Sequence, residues 1–259
     1  MSLKNLNVPQ NMKKRMEYFI KSQVKNNLES SEKNLKEYRC YKCRDMTFII
    51  NDGVAVPCSC RKVREAEDIL KKSGISEKFR NKRFDNFDYS VDMILMDAYK
   101  KASDYVKFFN EIENDRGNSI MFLGQVGSGK THLSLAICNE LMDSGVGVVY
   151  MGYRDVITRL KQNIMDEVYY NNVMNRYKNA RVLLIDDLFK GRISHSDVNI
   201  IFEIVNHRYF NNLPVIVSCE KRVSELMDID EAIGSRIVEM CGDYICEIRG
   251  KKLNYRIRG

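Results

Sequence analysis

From residue 119 onward, short apolar runs alternate with longer stretches of helical spacing. Residues 119–123, 146–151, 181–187, 214–218 and 244–248 are brief and nearly continuous in apolar side chains, the pattern of strands buried on both faces. Residues 132–141, 154–166, 168–179, 196–210, 223–226 and 230–240 read as helices. Ser194 or Ser196 is the expected N-cap of the helix over 196–210. Strands that alternate with helices imply an α/β fold with a parallel sheet flanked by helices and joined by right-handed crossovers.

The first 118 residues follow a different rhythm. Residues 1–39 are polar and charged. Met12, Met16, Phe19, Ile20, Val24 and Leu28 lie close to one helical face, a thin stripe that fits a surface or partner-binding helix. Residues 45–57 read as a β-hairpin turning at Asn51-Asp52-Gly53, and residues 61–72 as a helix ended by Ser73-Gly74. Phe79, Phe84, Phe87 and Tyr89 then alternate with Lys78, Arg80, Lys82 and Arg83. Aromatics among cations can stack bases. They can equally anchor a linker, and anchoring is favoured because a new domain starts next. Residues 91–113 read as a long amphipathic helix that exits at Arg116-Gly117-Asn118. The expected organisation is an N-terminal helical and cysteine-bearing module over 1–73, a linker with its helix over 74–118, and the α/β domain over 119–259.

Composition changes this picture in two ways. No apolar run approaches the roughly 18–20 residues that span a bilayer, and the first ten residues lack the apolar core of a signal peptide, so a cytoplasmic protein without membrane contact is expected. Residues 1–83 carry 20 Lys and Arg against 10 Asp and Glu, and the rest of the chain 22 against 25. The basic excess therefore lies in the N-terminal third, which fits an acidic or nucleic-acid partner there or simply a solvated charged surface.

Four of the eight cysteines cluster at Cys40, Cys43, Cys58 and Cys60, while Cys138, Cys219, Cys241 and Cys246 are scattered among apolar neighbours as small core residues. A hairpin between the two clustered pairs would bring four thiolates together, a donor set for Zn²⁺ with no open position and hence a structural role. Free thiols or a disulfide are the competing readings.

Gly124-Gln125-Val126-Gly127-Ser128-Gly129-Lys130-Thr131 has the spacing of a phosphate-binding loop, set between an expected strand and an expected helix that opens at His132, and nucleotide contacts are expected from residues 124–132. The glycines admit close approach of the backbone, and the helix N-terminus adds partial positive charge. Lys130 would reach the β- and γ-phosphates of ATP, and the Thr131 hydroxyl would hold Mg²⁺. About 55 residues later, the run Leu183-Leu184-Ile185 ends in Asp186 and Asp187. Asp186 would bind Mg²⁺, directly or through water, and Asp187 would orient or deprotonate the attacking water.

These motifs, with Asn206-His207-Arg208-Tyr209, Leu213-Pro214-Val215-Ile216-Val217 and Ile233-Gly234-Ser235-Arg236-Ile237, resemble the DnaC/DnaI-type replicative helicase loaders, AAA+ ATPases of the initiator clade. The likeness covers residues 74–259, and more loosely the cysteine module. It implies ATP, Mg²⁺ and Zn²⁺ as cofactors. It implies as partners a replicative helicase, single-stranded DNA and further copies of the chain across ATP-bridged interfaces. It makes Arg236 an arginine finger acting on a neighbouring subunit and Arg256 a sensor contacting nucleotide in its own. At the end of the 214–218 strand the family usually has Asn; here Ser218 and Glu220 are both candidates for sensing the γ-phosphate. The second acid is Asp187 rather than the usual Glu, a shorter reach that implies slow hydrolysis. Arg154, Arg159 and Lys161 become candidate DNA contacts. The rival is a transposition helper ATPase of the IstB type, which shares the core but coats duplex DNA.

Overall fold

The computed structural model describes residues 38–51, 53–72, 77–250 and 253–257. The amphipathic stripe expected over 1–39 lies almost wholly outside them. The chain divides into two compact units, residues 1–45 and 46–259. In the first, the described residues 38–45 form a tight turn in which the backbone N–H groups of Arg39 and Cys40 donate to the Asp45 carboxylate.

The second unit opens with the expected hairpin, β1 (Phe48–Asn51) antiparallel to β2 (Val54–Pro57). Helix α1 (Cys60–Lys72) follows and buries Ala66 against the α/β core, so by packing it belongs to that core. A short helix α2 (Glu77–Arg80) and a 3₁₀ turn (Phe84–Asn86) lead to α3 (Met93–Ile112). Asp92 caps α3 by accepting from the Ile94 N–H. The aromatics of this linker do anchor it: Phe79 packs on Tyr150, Phe84 on Tyr99, and Phe87 on Tyr99 and His132.

The core runs β3 (Ile120–Gly124), α4 (Lys130–Asp143), β4 (Val148–Gly152), α5 (Tyr153–Gln162), α6 (Glu167–Lys178), β5 (Val182–Leu188), α7 (His195–Phe210), β6 (Val215–Cys219), α8 (Val223–Ile229), α9 (Glu231–Cys241) and β7 (Ile245–Ile248). Ser194, not Ser196, caps α7, and Asp197 completes the reciprocal capping box. The five core strands form one parallel sheet in the order β4-β5-β6-β3-β7. Alternation along each strand divides the core into two layers. Met121, Leu123, Leu183 and Ile185 face one side, with Ile201, Ile204 and Ile237. Ile120, Phe122, Val182 and Leu184 face the other, with Leu133, Ile137 and Tyr105. The four scattered cysteines are all buried, as expected.

Under the amino ends of the strands, Arg208 of α7 is wholly buried. It donates to the carbonyls of Tyr177, Lys178, Ala180 and Pro214, tying the end of α6 and the approach to β5 to the start of β6. No helix is long and apolar enough to cross a membrane among the described residues.

Candidate nucleotide site

In a parallel α/β sheet, ligands sit outside the carboxyl ends of the strands. Here that edge gathers the ends of β3, β5 and β6. β3 ends at Gly124, whose backbone runs so close to β7 that a Cβ would meet the Ile248 carbonyl oxygen at 2.1 Å. Gly129 precedes α4 with φ +89°, and a Cβ there would meet the Phe87 ring at 2.6 Å. Both positions therefore demand glycine.

Lys130 is nearly buried, and its Nζ donates to the carbonyls of Gly124 (2.9 Å) and Gln125 (2.7 Å). Burial lowers its pKa, and the charges of Glu220 and Asp187 pull it back up. Ser128 Oγ donates to Gln125 O at 2.9 Å, closing the loop on itself. Gln125 Nε2 donates to Gly250 O at 2.8 Å.

Asp186 is also nearly buried, and both its carboxylate oxygens are engaged. Oδ1 accepts from Thr131 Oγ1 at 2.9 Å and from Ser218 Oγ at 2.5 Å. Oδ2 accepts from Tyr150 Oη at 3.1 Å. Burial, then the Asp186 charge, raises the Tyr150 pKa, so the phenol stays a donor. Asp187 follows in the left-handed region at φ +58°, where the β5–β6 register breaks between Ile185 and Leu188. That irregularity lets two consecutive acids meet one hydroxyl, because the Asp187 N–H donates to Ser218 Oγ at 2.9 Å. The Asp187 carboxylate accepts from Lys190 Nζ at 2.8 Å, and the same ammonium pairs with Glu220 at 3.0 Å. Lys130, Thr131, Asp186, Asp187, Ser218 and Glu220, all expected from the sequence, come together here, joined by Lys190 and Tyr150, which were not.

The loop is also covered from outside. The 3₁₀ turn Tyr255–Ile257 brings the Tyr255 N–H to Gly127 O at 2.9 Å, and Asn254 Oδ1 sits where a Gly127 Cβ would be. Arg256 is exposed in this turn, beside the phosphate loop. His132 faces the linker instead, with its Nε2 bonded to Arg83 O at 2.9 Å and its ring against Phe87. Val126 is exposed.

Arg236 lies on α9 with its guanidinium over the rings of Phe202 (5.5 Å) and Tyr209 (5.3 Å). Its Nη1 donates to Ala232 O, and its Nε is buried without a hydrogen-bond partner. The three cations expected at DNA are drawn into the chain's own contacts. Arg154 Nη1 donates to Lys190 O, Arg159 Nε to Asp155 O, and Lys161 Nζ to Asp197 and Ser194. Arg154, Lys161 and Arg192 still line one cavity of about 400 Å³ between α5 and the segment that leads into α7.

Donor chemistry decides which metals fit. The Thr131 hydroxyl and the Asp186 carboxylate are adjacent hard oxygens, suited to Mg²⁺. Cys40, Cys43, Cys58 and Cys60 are a set that could hold a metal ion. Four soft thiolate donors suit tetrahedral Zn²⁺, with Zn–S bonds of about 2.3 Å.

A family model described as IstB-like ATP binding protein matches residues 51–241. The chain is 36% identical to the phage-like element PBSX protein XkdC of Bacillus subtilis, over 88% of this chain and 90% of that one. It is 28% identical to the replicative helicase loader DnaC of Escherichia coli, over 66% of each. A solved structure of DnaI shares the fold, with a TM-score of 0.54 and 24% identity over 68% of this chain and 92% of that one. The chain belongs to the family of IstB-like ATP-binding proteins, P-loop ATPases of the AAA+ class.

Proposed function

We propose that this protein is an ATP-dependent loader that delivers a replicative DNA helicase to single-stranded DNA. The observation that carries the ATPase half is the meeting of Thr131, Asp186 and Ser218 at one carboxylate oxygen, beside a buried phosphate-loop lysine. Similarity to the loader DnaC supports the other half.

In this reading, residues 124–131 wrap the phosphates, with Lys130 moving from the loop carbonyls to the β- and γ-phosphates. Mg²⁺ held by Thr131 and Asp186 would neutralise charge on those phosphates. Asp187 orients the attacking water. Ser218 senses the γ-phosphate side through both acids, and Arg256 reads nucleotide from the C-terminal turn. Arg236 acts on the ATP of a neighbouring subunit. In the lone chain its guanidinium rests over Phe202 and Tyr209 and bonds the Ala232 carbonyl, contacts it would leave on assembly. Hydrolysis is then slow in the lone chain and rises on assembly, because a missing arginine finger costs about 10³–10⁵ in rate. The N-terminal cysteine module, with zinc bound at its four thiols, receives the helicase, and the cations Arg154, Arg159 and Lys161 contact single strands.

A second reading, a transposition helper that coats duplex DNA, is favoured by the description of the matching family model. One experiment separates the two. The protein is incubated with ATP, the helicase of its native cell, and either single-stranded or duplex DNA, and complexes are resolved by size. A ternary complex with helicase and single strands supports the loader. ATP-dependent filaments on duplex DNA without helicase support the helper.

A further inference from the structure

Lys190 lies three residues beyond Asp187, in the loop that leaves β5. Its Nζ donates to Asp187 Oδ2 at 2.8 Å and pairs with Glu220 Oε1 at 3.0 Å. One ammonium thus joins the end of β5 to the chain just past β6. The Lys190 backbone is held as firmly as its side chain. Its N–H donates to Asp187 O at 3.1 Å, and its carbonyl accepts from Arg154 Nη1 at 3.2 Å. The next residue, Gly191, has φ +85°, and a Cβ there would meet Arg154 Nη1 at 2.1 Å. Arg154 therefore packs flat against the loop, and Lys190 is aimed at the acids from a fixed base.

The need for such a cation follows from the charges. Asp187 and Glu220 both reach the one Lys190 ammonium, at 2.8 and 3.0 Å, so two acids share this corner. Left alone they would repel and rotate apart. Asp187 is also short, so its carboxylate has few ways to reach a water at the γ-phosphate. Pinning Oδ2 leaves Oδ1 for that water in one orientation. As a partly exposed pair the contact contributes little to stability, so its worth lies in placement.

We propose that Lys190 is a positioning residue for ATP hydrolysis: it holds Asp187 and Glu220 as one charge-paired unit, with Asp187 Oδ1 turned toward the attacking water. The proposal rests on the reading of Asp187 as the acid that orients water.

The test compares Lys190→Met, Lys190→Arg, Asp187→Asn and the double variant Lys190→Met/Asp187→Asn with the wild type. Affinity is read with a fluorescent ATP analogue, and turnover in parallel. Lys190→Met is expected to bind ATP within about twofold of wild type and to lose about tenfold in kcat, while Lys190→Arg keeps at least about half the rate. In the Asp187→Asn background, Lys190→Met is expected to change the residual rate by less than about twofold, because its route to the reaction is already gone. If Lys190→Met melts several degrees early, Lys190→Gln, uncharged and closer in shape, carries the same expectation. Wild-type turnover in the uncharged variants would overturn the proposal. So would a loss confined to affinity, an equal loss in Lys190→Arg, or a full further loss in the Asp187→Asn background. Wild-type turnover in Asp187→Asn itself would instead bring down the assignment of Asp187, and the proposal with it.

Discussion

Ser218 Oγ stands between the two acids of β5, donating to Asp186 Oδ1 at 2.5 Å and accepting the Asp187 N–H at 2.9 Å. One hydroxyl spends its proton on the carboxylate beside Thr131 and a lone pair on the peptide that carries the next acid. Glu220, the other candidate at this strand end, is turned to Lys190. Ser218 is fully buried, so nothing from solvent replaces it.

Ser218→Ala should therefore loosen both acids together. It removes a donor from Asp186 and leaves the Asp187 N–H without an acceptor, at a cost of about 1–3 kcal/mol. Thermal melting should fall by several degrees, and ATP turnover should fall further than binding. An unchanged kcat would show that the serine is only a packing residue.

The phosphate loop and the acids should separate in a simple pair of variants. Lys130→Ala should abolish ATP binding, since the lysine is the charge of the loop. Asp187→Asn keeps the Thr131–Asp186 pair and should still bind Mg²⁺–ATP while hydrolysis falls. Equal loss of binding in both variants would contradict the division of labour between Asp186 and Asp187.

The cysteine cluster predicts about one equivalent of Zn²⁺ per chain by elemental analysis. Cys40→Ser should lower that content and leave ATP affinity nearly unchanged. Purified protein that is metal-free and equally stable after chelation would sink the zinc assignment.

Much of this architecture was legible because its signals are local. The phosphate loop is eight consecutive residues, the acids follow an apolar run, and the aromatics of 79–89 sit directly before the domain they anchor. What escaped depends on partners far away in sequence. Tyr150 meets Asp186 across 36 residues, and Arg154 meets Lys190 across 36. His132, expected at nucleotide, bonds the linker carbonyl of Arg83, 49 residues upstream. A basic helix face reads as a nucleic-acid surface, yet Arg154 and Lys161 are partly consumed by α5's own neighbours. The helix at 60–72 read as part of the cysteine module because it follows Cys60 directly; only packing shows Ala66 in the core.

Arg208 gives a test of stability away from nucleotide. Arg208→Met should leave four carbonyls without their shared donor and cost at least about 3 kcal/mol, seen as a large drop in melting temperature or in soluble yield. A variant as stable as wild type would mean that water replaces the guanidinium.

The central claim is that ATP is hydrolysed between subunits, and mixing two inactive proteins tests it most directly. Arg236→Ala should bind ATP nearly as well as wild type, because Arg236 lies on α9 against Phe202 and Tyr209 and makes no hydrogen bond to the phosphate loop. It should fail to turn over. Lys130→Ala should fail to bind ATP yet carry an intact Arg236. Mixed together with single-stranded DNA, the two should recover turnover that grows with protein concentration. A mixture shown to co-assemble but inactive at every ratio would contradict the account, and Arg236 would then be a residue of its own subunit's fold.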